Sequence, residues 1–145
     1  LGNDNNDGTS IDTPFENIQK ALDEAVSGVT TSIQVMGGTY KERLTWKQPG
    51  TANAPMILTN YSGQTVILDG KNATGSAKAM IEIFEKDYCT VKKLYIQNNI
   101  KKFDTEGIHV SGGRGIHVSG GEGIKILSCK IKNIGYEVPK MQIHY

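Results

Sequence analysis

At 145 residues the chain suits one domain with a real core, and 17 glycines against 4 prolines favour many tight corners over a helical bundle. No stretch of about 18 consecutive apolar residues occurs, which excludes a membrane-spanning helix. A net charge of +1 gives no case for a nucleic-acid partner. The charge is uneven, however: six acids through Glu24 face only Lys20, while the remainder of the chain is mildly basic. Such a body suits an anionic partner, and is equally an ordinary solvated surface. Cys89 and Cys129 have neither metal-ligand spacing nor a disulfide framework, and are expected to fill core positions. The sequence opens on Leu1 without a methionine, as a processed or trimmed product would.

Gly2 to Ser10 reads GNDNNDGTS, a polar loop. Asn3, Asn5, Asp7 and Gly8 imitate the start of a calcium-binding loop, but Asn3 stands where the leading Asp belongs and Pro14 where the bidentate Glu belongs. A turn-rich cap is the better reading. Thr13-Pro14-Phe15-Glu16 predicts a helix start, with Thr13 as N-cap, Pro14 in the first turn and Glu16 completing a capping box. Phe15, Ile18, Leu22, Ala25 and Val26 give this helix one apolar face, and Gly28 ends it.

Strand patterns follow at Ser32 to Val35, Tyr40 to Trp46, Pro55 to Asn60, Thr65 to Leu68, Met80 to Phe84 and Cys89 to Gln97. Turn signals such as Gly37-Gly38, Pro49-Gly50, Ser62-Gly63 and Asp69-Gly70 separate them. No helical pattern intervenes after Gly28, so the chain is expected to be all-β. Gly107 to Ile134 then repeats itself: GIHVSGGR, GIHVSGGE and GIKILSCKIKNI. Each unit is a short strand with apolar first and third positions, followed in the first two by a Ser-Gly-Gly corner. So short a unit cannot bury its own apolar face and must stack on neighbours, which is the signature of a solenoid.

A longer repeat supplies a register. Val91 to Asn98 (VKKLYIQN) superposes on Ile126 to Asn133 (ILSCKIKN), matching Val91 with Ile126, Leu94 with Cys129, Ile96 with Ile131 and Asn98 with Asn133. Each segment bends once and closes on an asparagine, which tolerates left-handed backbone and can bond to its equivalent in the next layer. Cys89 then lies over Ile124 rather than Cys129, which sets the two thiols in different columns. The helix before the strands is expected to cover the first layer, and Val138 to Tyr145 adds a strand with no recognisable cap. That end implies either further sequence or an edge open to end-to-end self-association.

The stretches GNDNNDGTSIDTPFENIQKALDEAVSG, GGTYKERL and APMILTNYSGQTVILDG resemble the amino-terminal portion of secreted proteins of the pectin-lyase-like superfamily, especially polysaccharide lyases related to chondroitinase B, alginate lyase and pectate lyase. The resemblance implies a right-handed parallel β-helix with an N-terminal α-helical cap. Residues 1–145 are expected to form one domain, with a loop and capping helix over 1–30 and about five coils of ~20 to 25 residues over 31–145, either complete or truncated at the C-terminus. It also implies an extracellular or periplasmic protein and β-elimination on a uronate-containing, anionic polysaccharide. In that chemistry a calcium ion neutralises the sugar carboxylate and a Lys or Arg removes the neighbouring proton. No catalytic motif transfers residue by residue. The alternative is a non-catalytic glycan-binding or self-assembling module.

Strand parity points Lys92, Tyr95, Gln97, His109, His117, Lys125, Lys130 and Lys132 outward. Lys125, Lys130 and Lys132, with Arg114 nearby, are the candidate cations for a polyanionic sugar, and equally protect a solenoid surface from aggregation. His109 and His117 could share a metal if their strands stack, and could not if they form successive sides of one coil. Trp46 and Tyr40 either stack on sugar rings or pack beneath the helix. Asn72-Ala73-Thr74 matches a glycosylation sequon.

Overall fold

The structure, a computed structural model, describes residues 1–102 and 113–137. One helix, α1 (Ile18–Glu24), precedes eleven strands: β1 (Ser32–Val35), β2 (Gly38–Tyr40), β3 (Leu44–Thr45), β4 (Met56–Asn60), β5 (Val66–Asp69), β6 (Ala79–Phe84), β7 (Cys89–Lys92), β8 (Tyr95–Lys102), β9 (Arg114–Ser119), β10 (Lys125–Leu127) and β11 (Lys130–Glu137). They form three sheets, ordered β1-β4-β7-β10, β2-β5-β8-β11 and β3-β6-β9. Every pairing is parallel. The chain visits the three sheets in rotation and returns to each one strand further along. This is a parallel β-helix capped by one short helix.

The internal repeat gives the register correctly. Ile126 pairs with Val91 and Ile131 with Ile96, and the Asn133 amide donates to Asn98 Oδ1 at 3.2 Å. The bends stack as well: Lys93 and Ser128 have φ of 55° and 53°, Asn98 and Asn133 of 60° and 52°. The second and third glycine-rich units lie on different sheets, on β9 and β10, joined by the corner at Gly120 to Gly123. At Gly121 φ is 81° and a Cβ would collide with the Lys86 carbonyl, so only glycine fits.

Alternation supplies the core. Leu44 and Ile81, Leu58 and Val91, and Leu68 and Ile96 are stacked pairs with no exposure. Burying each such side chain is worth about 1.5 to 3 kcal/mol. Cys89 is buried among them and Cys129 packs at the edge; both thiols are free. Burial pushes the Cys89 thiol up to about 11, so it stays protonated and serves as a small hydrophobe.

Three features differ from the sequence expectation. The layers are mostly longer than 20 to 25 residues: the step is 25 residues from Ser32 to its partner Ile57 and 37 from Leu44 to its partner Ile81. The described residues therefore form three complete layers, closed by β3, β6 and β9, and two sides of a fourth. The stretch Tyr40 to Trp46 is not one strand; it is divided between β2 and β3, with Glu42 turned inward at the corner. The helix begins at Ile18, not Pro14, and Asn17 at its N-cap makes no side-chain capping bond. Thr13, the expected cap, instead donates its hydroxyl to Asp7 at 2.6 Å, while Asp4 takes the Glu16 and Asn17 N–H groups at 2.9 Å each.

What replaces the capping box comes from far along the chain. The buried Glu42 carboxylate accepts the Ile18 and Gln19 N–H groups at 3.0 Å each, satisfying two donors of the first helical turn. Gln19 meanwhile bonds both backbone groups of Thr45, accepting its N–H at 2.8 Å and donating to its carbonyl at 3.0 Å. A helix of seven residues is unstable alone. Here it is held by Leu22 and Ile18 in the core and by side chains that close the outer edge of β3.

Candidate functional site

The structure distributes the sequence-predicted site residues over three faces. Arg114 and His117 lie on β9, Lys125 on β10, and Lys130 and Lys132 on β11, so each pair or residue belongs to a different sheet. Lys130 and Lys132 share one outer face; Lys125 and Arg114 do not join them in a single cluster. His109 lies outside the described residues, as do Ile108, Val110 and the strand expected from Val138 to Tyr145. His117 is half-buried and pairs in register with Glu82. Phe84, 53% exposed, lies two residues further along the same strand as Glu82.

Trp46 is 2% exposed and cannot reach a sugar. Tyr40 packs against the core and donates its hydroxyl to the Met36 carbonyl at 2.8 Å. The amino-terminal loop is a turn system whose carboxylates are used internally: Asp7 accepts from Thr9 and Thr13, and Asp4 from Glu16 and Asn17. The hydrogen bond from the Asn17 amide is the chief reason the Asp4 carboxyl sits below its ordinary range. Among the described residues no three His, Cys, Asp or Glu side chains converge to hold a metal, so no residue is assigned to calcium.

Two concavities among the described residues bear on the site. The first, of about 350 Å³, lies between α1 and the first layer, and its charged groups are occupied with structure. Glu42 caps the helix, and Arg43 donates to the Gly70 carbonyl and to Asn99 Oδ1, each at 3.3 Å. Asn99, only 1% exposed, in turn donates to the Lys78 and Arg114 carbonyls at 3.0 and 2.8 Å. This site is a fastening between layers.

The second, of about 310 Å³, lies at the bend between the first and second sheets. Lys93, Tyr95, Ser128 and Lys130 form one side, and Asn60, Gln64 and Thr65 the other. The Lys130 ammonium stands 5.0 Å from the centre of the Tyr95 ring, held over its negative face. Of the predicted cations only Lys130 reaches this cleft. Lys93, Asn60 and Gln64 were not singled out from sequence, because the bend brings together residues from three layers. The signal for Tyr95 was present: the same alignment that matches Ile96 with Ile131 puts Tyr95 over Lys130.

Two curated proteins are similar to this chain. Pectate lyase PEL9 of Emericella nidulans is 42% identical over 77 residues, covering 52% of this chain and 18% of the relative. Over that stretch the chain is similar to part of a pectate lyase. The uncharacterized protein YwoF of Bacillus subtilis is 30% identical over 116 residues, covering 77% of this chain and 24% of that protein. The chain thus spans about a quarter or less of the length of each relative. No family profile and no solved structure matches it. The partial homology and the parallel sheets together fit a pectin-lyase-like β-helix.

Proposed function

We propose that this chain is a section of a polysaccharide lyase-like protein that handles a uronate-containing polysaccharide along the outside of its β-helix. The observation that carries the reading is the 42% identity to a pectate lyase, in a chain whose sheets are all parallel. β-Elimination requires neutralisation of the sugar carboxylate and a base for the proton beside it. Calcium dependence and export from the cell belong to the same reading and are supported by the sequence resemblance alone. Retention of a glycan without cleavage is a second reading, favoured by the cationic cleft at the bend.

The test is to incubate the protein with pectate, alginate and chondroitin, with and without calcium, and to follow the ultraviolet absorbance of an unsaturated uronate product. The expected result is a rise in absorbance on one of the three polymers. Retention on an immobilised polymer without new absorbance assigns the chain to binding alone. Absence of both product and retention on all three polymers would contradict the proposal.

A further inference from the structure

The cleft at the bend has a composition that selects for charge. None of its lining residues is acidic, and two are lysines, Lys93 from the third layer and Lys130 from the fourth. Opposite them stand neutral hydrogen-bonding groups, among them Gln64. Its Oε1 is taken by the Gly37 N–H at 2.6 Å, which fixes the side chain. Among the described residues the Gln64 Nε2 and the Ser128 hydroxyl have no protein partner, so both are available to a ligand. The backbone beneath is rigid: the Lys93 N–H donates to the Leu127 carbonyl at 3.0 Å, and the Lys130 N–H to the Leu94 carbonyl at 2.9 Å.

We propose that this cleft between Lys93 and Lys130 is a binding site for the carboxylate of an acidic sugar unit. The proposal rests on the functional reading above, because that reading supplies the uronate. A volume of about 310 Å³ falls at the lower end for small-ligand sites, enough for a short saccharide segment and not a long one. A sugar carboxylate between the two ammonium groups would receive charge-assisted hydrogen bonds, with its hydroxyls toward Gln64 and Ser128. Tyr95 is a positioning residue, because its ring face is already occupied by Lys130.

The test compares retention of pectate and of a neutral polysaccharide in affinity gel electrophoresis for the wild type and three double variants. Lys93→Ala with Lys130→Ala is expected to weaken pectate retention by about tenfold, an effect that shrinks as salt is raised. Lys93→Arg with Lys130→Arg keeps the charge and is expected to stay within about threefold of wild type. Lys71→Ala with Lys78→Ala removes the same charge from exposed positions elsewhere and should change nothing. Circular dichroism reports whether each variant is folded. If the cleft variant retains pectate as well as the wild type, or the Lys71/Lys78 variant loses as much, the cleft assignment is overturned while the functional reading stands. If the wild type itself retains neither pectate nor any other uronate polymer, both fall.

Discussion

The third and fourth layers of the stack are built from nearly the same inward side chains and yet differ sharply in what those side chains achieve. In the third layer Val91 and Ile96 have no exposure; in the fourth their register partners Ile126 and Ile131 are 40% and 48% exposed. Both positions stay aliphatic and the strand pairing on one side is unchanged. What differs is that, among the described residues, the third layer is paired with a layer on both sides and the fourth on one. An aliphatic residue in a solenoid contributes what its neighbours allow, and the one-dimensional logic of repeat proteins follows from this. The first layer shows how an end can be finished, since there α1 covers the core and Gln19 bonds the Thr45 backbone at the strand edge.

The largest test of this comparison is a matched pair of truncations. Ile96→Ala should destabilise the protein by about 2 to 5 kcal/mol, because the surrounding layers cannot collapse onto the cavity. Ile131→Ala should cost under about 1.5 kcal/mol, because much of that side chain is already in water. Chemical denaturation of the two variants checks both values, and equal costs would remove the distinction between the layers. At the finished end, Glu42→Ala leaves the Ile18 and Gln19 N–H groups without their partner, and should cost about 1 to 3 kcal/mol. Loss of α1 signal in far-ultraviolet circular dichroism would accompany it.

A smaller effect is expected at Asp69, on the outer face. Burial there opposes ionisation, but hydrogen bonds from Gln97, from the Lys71 N–H and from Asn98 outweigh it and hold the carboxyl below its ordinary 3.8. With the folded-state value depressed, the ionised group contributes stability above 3.8, and that contribution is lost as the pH falls through the lower folded-state value. Denaturation midpoints of wild type and Asp69→Asn should therefore differ at neutral pH and converge in acid. A difference that stays constant with pH would mean that the ionised carboxylate has no part in it.

The layers were legible because their determinants are local or periodic. Alternation named the inward residues, and a single alignment of Val91 to Asn98 with Ile126 to Asn133 gave both the register and the asparagine contact. The helix start was misread for the opposite reason. Thr13, Pro14 and Glu16 satisfy the local rule, but Asp4 takes the Glu16 N–H and Glu42 the Ile18 N–H from positions 12 and 24 residues away. Those partners carry no local signal. The candidate site suffered similarly: lysines close in sequence, Lys125 and Lys130, fall on different sheets across the Ser128 bend, while Lys93 and Lys130, distant in sequence, line one cleft.

Native-state amide hydrogen exchange, resolved strand by strand, tests most directly whether cover on both sides sets the strength of a layer. The account predicts the slowest exchange in β5, β7 and the first half of β8, with β10 and β11 opening earlier and at lower cost. Uniform protection across the four layers, or slowest exchange in β10 and β11, would contradict it.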